Sequence, residues 1–163
     1  QDGLRADAPD TPPQIQAAYS RNYHSLLTAL DTHLTPASVV FTHNPWGEYG
    51  HPDYVQLYRA LELLHARIGF SMWVSAYVAA RTKRLARRYA MRRDAKVLHG
   101  QPDPDLGKAA MQVFKDHDCW TWRDDWNWAK TECFLPAPLT LDDDQGARAL
   151  PDTGCLQTVP APL

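Results

Sequence analysis

The 163-residue sequence is 44% apolar and 22% charged, an ordinary globular balance on a chain long enough to bury a core without staples. A formal net charge of −2 gives no global pull toward nucleic acid or an anionic membrane, and no run of about 18 apolar residues is available to span a bilayer. The odd, wide spacing of Cys119, Cys133 and Cys155 outlines neither a CxxC metal pair nor an even disulfide framework. Reduced thiols in a cytoplasmic protein are therefore expected, with one Cys119–Cys133 bridge left open.

Residues 1–14, polar and carrying Pro9, Pro12 and Pro13, read as a flexible lead-in. The start at Gln1 shows no basic-then-apolar leader and is read as processed or truncated. From Ile15 to Leu34, apolar residues recur at helical spacing (Ile15, Ala18, Tyr19, Tyr23, Leu26, Leu27, Leu30, Leu34), and Thr35-Pro36 ends the pattern. Val39 to Phe41 is a short apolar run that predicts a buried strand. Asp53 to Arg67 predicts a second helix, with Pro52 in its first turn, Gly69 just past its end, and Val55, Tyr58, Leu61, Leu64 and Ile68 as its stripe. Phe70 to Ala80, rich in β-branched and aromatic residues, predicts another strand. Eight of the seventeen basic residues fall between Arg81 and Lys96, a run expected to lie on a solvated face. A short helix is expected from Asp105 to Lys115, and residues 136–163, rich in proline and carrying Asp142-Asp143-Asp144, are expected to be an irregular tail. Helix, strand, loop and helix in succession predict an α/β domain over residues 15–135.

The loop between the first strand and the second helix concentrates the polar chemistry: Thr42-His43-Asn44-Pro45-Trp46-Gly47-Glu48-Tyr49-Gly50-His51-Pro52-Asp53-Tyr54. It lies where α/β sheets display ligand-binding groups, at the carboxyl end of a strand. His51 and Asp53 are two apart, and a carboxylate beside an imidazole can hold its charge or tautomer. The plainer alternative is that His43 and His51 only cap backbone groups.

The combined string, TH-N-P, G-E-Y-G and HPD, resembles the second signature of the PIG-L/LmbE-like N-acetylglucosaminyl deacetylases. Cys119-Trp120-Thr121-Trp122 with Glu132-Cys133-Phe134 is similar, more weakly, to the distal part of some bacterial members. The resemblance implies a Rossmann-like layered α/β fold, a divalent metal (zinc, Zn2+), and hydrolysis of the acetamide of an N-acetylated sugar or glycoconjugate. It places His51 as the group that assists the tetrahedral intermediate and leaving amine, and Asp53 as a supporting carboxylate. Trp46, Glu48, Tyr49 and His43 become substrate-side residues. The family pattern ends H-P-D-H, its last histidine binding metal; this chain has Tyr54 there. No A-H-P-D-D/E string, the family's other signature, occurs in the sequence, so a carboxyl-side portion lacking the first strands is expected, inactive by itself. His99-Gly100-Gln101-Pro102-Asp103 and Asp116-His117-Asp118 share residue types with that string but not its pattern, and read as ordinary loop and helix-end residues.

Trp120, Trp122, Trp126 and Trp128 place four of the six tryptophans within nine residues. They fit either a sugar-facing wall or an aromatic closure of the core or of an oligomer interface. A metal-free pseudoenzyme or carbohydrate-binding module of the same fold is the alternative function. An unrelated interaction domain is a third reading.

Overall fold

The computed structural model describes residues 12–92, 96–122, 125, 129–141, 147–149 and 156–158. Helix α1 (Pro13–Asp31) opens the described chain and ends three residues before the expected Leu34. It carries no fully buried residue and lies along helix α2 (Pro52–Ile68). Polar bonds tie the pair together: Gln56 Nε2 donates to the Tyr19 carbonyl at 2.7 Å, Arg59 to the Tyr19 hydroxyl at 3.1 Å, and Arg67 pairs with Asp31.

Between these helices in sequence lies strand β1 (Val39–Thr42), which pairs in parallel with β2 (Ser71–Ser75), Val39 opposite Ser71 and Thr42 opposite Val74. A parallel pair needs a crossover, and α2 supplies it. The sheet continues through β6 (Glu132–Ala137), antiparallel to β2, to β5 (Leu98–Gly100), antiparallel to β6. Its order is β1-β2-β6-β5. The architecture is therefore mixed α/β around a mixed sheet with one parallel pair. Among the described residues, no helix is long and apolar enough to cross a membrane.

The core lies between α2 and one face of this sheet. Tyr58, Leu61 and Leu64 of α2 meet Met72 and Val74 of β2 and Cys133 and Leu135 of β6, with Trp46 and Phe70 completing the cluster. The other face alternates as a strand must. Val39 and Phe41 are exposed there, and Phe41 packs edge-on against Phe134 with ring centres 5.0 Å apart. Both neighbours of Cys133 in sequence share that second face, so the period of two in β6 sorts core from surface.

Short pieces complete the chain. Strand β3 (Tyr77–Val78) follows β2, then the one-turn helix α3 (Lys83–Ala86) and strand β4 (Tyr89–Arg92). The described basic side chains of this run lie in water, Lys83, Arg84, Arg87 and Arg88 among them, while Ala86, Ala90 and Met91 of the same segment are buried. Helix α4 (Pro104–Asp116) matches its expected span, with Asp103 capping the amides of Asp105 and Leu106.

The expectation of an irregular tail fails for the described residues beyond 135. Pro136 and Ala137 belong to β6, while β7 (Thr140–Leu141) and β8 (Ala147–Ala149) flank β4, and β9 (Gln157–Thr158) pairs with β3. Proline is tolerated in β6 because pairing with β5 ends at Phe134, leaving that edge of Pro136 without a ladder partner. Pro-rich composition argued for disorder, but pairing partners upstream override it. The acidic run Asp142-Asp143-Asp144 lies outside the described residues.

Candidate functional site

The loop after β1 is held by hydrogen bonds that begin with Asn44, a fully buried side chain. Its Nδ2 donates to the carbonyls of Ser75 and Tyr77, each at 3.0 Å, and its Oδ1 accepts the amide of Glu48 at 2.8 Å. One amide side chain thereby pins the loop to the end of β2 and to β3. Gly47 has φ +65°, and a Cβ built there would stand 2.6 Å from the His51 carbonyl oxygen. Only glycine fits that turn. Glu48, with φ +57°, also occupies the left-handed region. Its carbonyl accepts from the Ala79 amide and from the Thr82 hydroxyl, and the Tyr49 carbonyl accepts from Arg81. A strained conformation persists where surrounding bonds over-determine it, as these do.

His43 and Glu48 meet at the exposed end of this frame. His43 Nδ1 lies 2.8 Å from Glu48 Oε1, and the Ser75 hydroxyl donates to the same oxygen at 2.8 Å. Glu48 is thus expected substrate-side but found mostly inside, orienting His43. The Glu48 side chain is 13% exposed and that of His43 32%.

His51 caps α2. Its Nδ1 accepts the backbone N–H of Asp53 at 3.2 Å. The Asp53 carboxylate, 76% exposed, reaches only 3.9 Å from that nitrogen. The tautomer of His51 is therefore set by the Asp53 amide and not, as expected, by its carboxylate. The carboxylate instead sits in the first turn of α2, where a negative charge favours the helix dipole.

Tyr54 joins the two imidazoles. Its ring stacks on His43 with centres 3.6 Å apart and planes 2° from parallel, and on His51 at 4.6 Å and 28°. Its hydroxyl accepts from Tyr49 at 2.8 Å. Burial, then this bond to Tyr54, raises the Tyr49 phenol far above its ordinary value.

Two expected substrate contacts lie elsewhere. Trp46 is fully buried, packs against Tyr89 and donates its indole N–H to the Tyr77 carbonyl at 2.7 Å. Tyr49 is 5% exposed. Both are core residues of the loop: their large apolar faces stabilise it by burial. His43, His51, Asp53 and Tyr54 remain the polar part of the motif that reaches the surface. Ser75 and Tyr77 have no signal in a single-strand reading of residues 70–80, nor Thr82 in the basic run, since only the fold brings them under the loop.

The remaining motifs stay apart. Cys133 is a buried thiol with Sγ 3.2 Å from His99 Nδ1, and Cys119 is an exposed thiol donating to the His117 carbonyl, so no Cys119–Cys133 bridge forms. Trp120 and Trp122 pack with ring centres 5.3 Å apart; Trp126, Trp128 and Cys155 lie outside the described residues. Neither His99 nor the Asp116–Asp118 segment is among the site's hydrogen-bond or ring contacts.

Comparison with protein-family models, with curated proteins and with solved structures finds no significant match.

Proposed function

We propose that this chain contributes one side of an N-deacetylase site that hydrolyses the acetamide of an N-acetylated sugar or glycoconjugate. His51 carries the reading. Because its Nδ1 accepts the Asp53 amide, the neutral ring holds its proton on Nε2. An amide is a poor electrophile with a poor leaving group, so a donor must reach the oxyanion and then the amine nitrogen. His51, capping a helix at the carboxyl end of a parallel strand, supplies that donor. The resemblance of the Thr42–Asp53 string to the PIG-L/LmbE-like signature supports the same reaction. In this reading β1, α2 and β2 are one unit of a Rossmann-like sheet.

Zinc is the cofactor the resemblance implies, and it would supply Lewis-acid polarisation of the carbonyl and activation of water. Among the described residues, no three His, Cys, Asp or Glu side chains come together to hold an ion. Tyr54 is stacked on both imidazoles and bonded to Tyr49, and His43 Nδ1 is occupied by Glu48. These residues do not by themselves fit a zinc centre. Further metal donors would have to come from another polypeptide segment. That same placement of Tyr54 favours the second reading, a metal-free carbohydrate-binding module.

Zinc stoichiometry and acetate release from an N-acetylglucosamine conjugate, measured on the full polypeptide, separate the two. The hydrolytic reading expects bound metal, released acetate, and a His51→Ala loss of about 10²-fold or more in rate. Sugar binding without metal or acetate would establish the second reading instead. An unchanged rate in His51→Ala would remove that residue from the reaction.

A further inference from the structure

The two imidazoles of the site are fixed in opposite senses, and the sense of each is set by a different neighbour. A carboxylate oxygen has no proton to give, so the 2.8 Å contact between Glu48 Oε1 and His43 requires an N–H at His43 Nδ1. In the neutral ring Nε2 is then the lone pair. At His51 the Asp53 amide is the donor, so Nδ1 is the lone pair and Nε2 bears the proton. With both rings neutral, the remaining nitrogen of His43 therefore accepts and that of His51 donates, on two partly exposed rings stacked on Tyr54.

A secondary acetamide carries the complementary pair: one carbonyl acceptor and one N–H donor. We propose that His43 and His51 together read this group. His51 Nε2–H donates to the acetyl oxygen, His43 Nε2 accepts the amide N–H, and the edge of Tyr54 between them receives the methyl. This rests on the deacetylase reading for the sugar but adds a specificity-determining role for His43. Glu48, Ser75 and Asn44 become positioning residues, because the acceptor sense of His43 depends on a carboxylate that Ser75 and Asn44 hold in place.

Two measurements on the full chain test the pair. Long-range 1H–15N spectra of histidine-labelled protein report which ring nitrogen is protonated, with His43→Phe and His51→Phe giving the assignments. The expected result is Nδ1–H for His43 and Nε2–H for His51. Glu48→Ala should move His43 to the other tautomer, while Glu48→Gln, whose amide oxygen still accepts, retains it. Calorimetric binding then compares a methyl N-acetylglucosaminide with its N-methyl-N-acetyl analogue, which has no amide N–H. Wild type should bind the secondary amide roughly 3- to 10-fold more tightly, the worth of one hydrogen bond, and His43→Phe, which keeps a flat ring on Tyr54, should abolish the preference.

The proposal is overturned by Nε2–H at His43, by equal affinity of wild type for the two amides, by a preference that survives His43→Phe, or by no binding of either at millimolar concentration. Acetate measured in the same samples keeps the two readings distinct. Amide preference without acetate supports the pair and defeats hydrolysis. Acetate release without amide preference defeats the pair and leaves hydrolysis standing.

Discussion

Asn44 illustrates how much one buried polar side chain can organise. It has no exposed surface and serves three backbone groups at once: the Ser75 and Tyr77 carbonyls and the Glu48 amide. Removing a buried partner costs the desolvation of the groups it leaves behind, which outweighs the net worth of the bonds themselves. Asn44→Ala should therefore destabilise the chain by on the order of 3 kcal/mol, read as a lower midpoint in urea unfolding. A loss below about 0.5 kcal/mol, the size of a surface change, would show that water replaces the side chain without penalty. Trp46, beside it, is a lesson in the same terms. An indole in a polar loop looks like a ligand contact, yet its ring fills the core and its N–H finds the Tyr77 carbonyl.

At the scale of elements, α2 is defined by its two ends. Pro52 occupies the first turn, His51 accepts the Asp53 amide, and the basic residues His65 and Arg67 lie in the last turn, where they complement the helix dipole. The helix stops at Gly69, with φ +86° and its amide bonded to the His65 carbonyl at 2.9 Å. A Cβ there would touch nothing within 4 Å, so the preference for glycine is conformational and not steric. Gly69→Ala should cost about 1 kcal/mol and Gly69→Asn less, because asparagine tolerates the left-handed region better. Thermal unfolding of the two variants checks this; equal losses would mean that the turn relaxes to another conformation. Helix α4 contrasts with α2. Its Leu106, Val113 and Phe114 form an exposed stripe, and no residue of the helix is buried. Leu61→Ala should therefore cost roughly 2–5 kcal/mol, but Leu106→Ala only about 0.5 kcal/mol or less. Comparable losses would place α4 against the core.

For the molecule as a whole, stability should depend on alkaline pH through buried phenols. Burial is the main reason that Tyr49, Tyr58 and Tyr77 hold their protons above the ordinary value of 10.0. The hydrogen bond to Tyr54 adds to this at Tyr49, the Glu62 charge at Tyr58, and the hydrogen bond to Glu132 at Tyr77. A raised folded-state value means that the folded chain binds these protons more tightly than the unfolded chain. Their contribution is complete below about pH 10 and falls as pH rises beyond it. Unfolding midpoints followed from pH 8 to 11 should decline past pH 10. Tyr58→Phe should flatten that decline, even though it also loses the bond from the Leu139 amide. An unchanged decline in that variant would assign it to other groups.

The amino-acid sequence by itself determined the local elements. Stripes of period 3.6 marked α1 and α2, Pro52 and Gly69 bracketed α2, a short helix was legible at α4, and the Val39–Phe41 run marked β1, because these signals act between residues close in the chain. The position of His51 and Asp53 at a helix start was legible for the same reason. Strands β5 and β6 and the tail strands were not, since short extended segments are decided by their partners and not by their own composition. Only tertiary structure put Ser75 under Glu48 and the rings of His43 and His51 on Tyr54, and only it buried Trp46 and Tyr49. Those outcomes depend on which strands pair and which side of a loop meets the core, and neither leaves a periodicity to read.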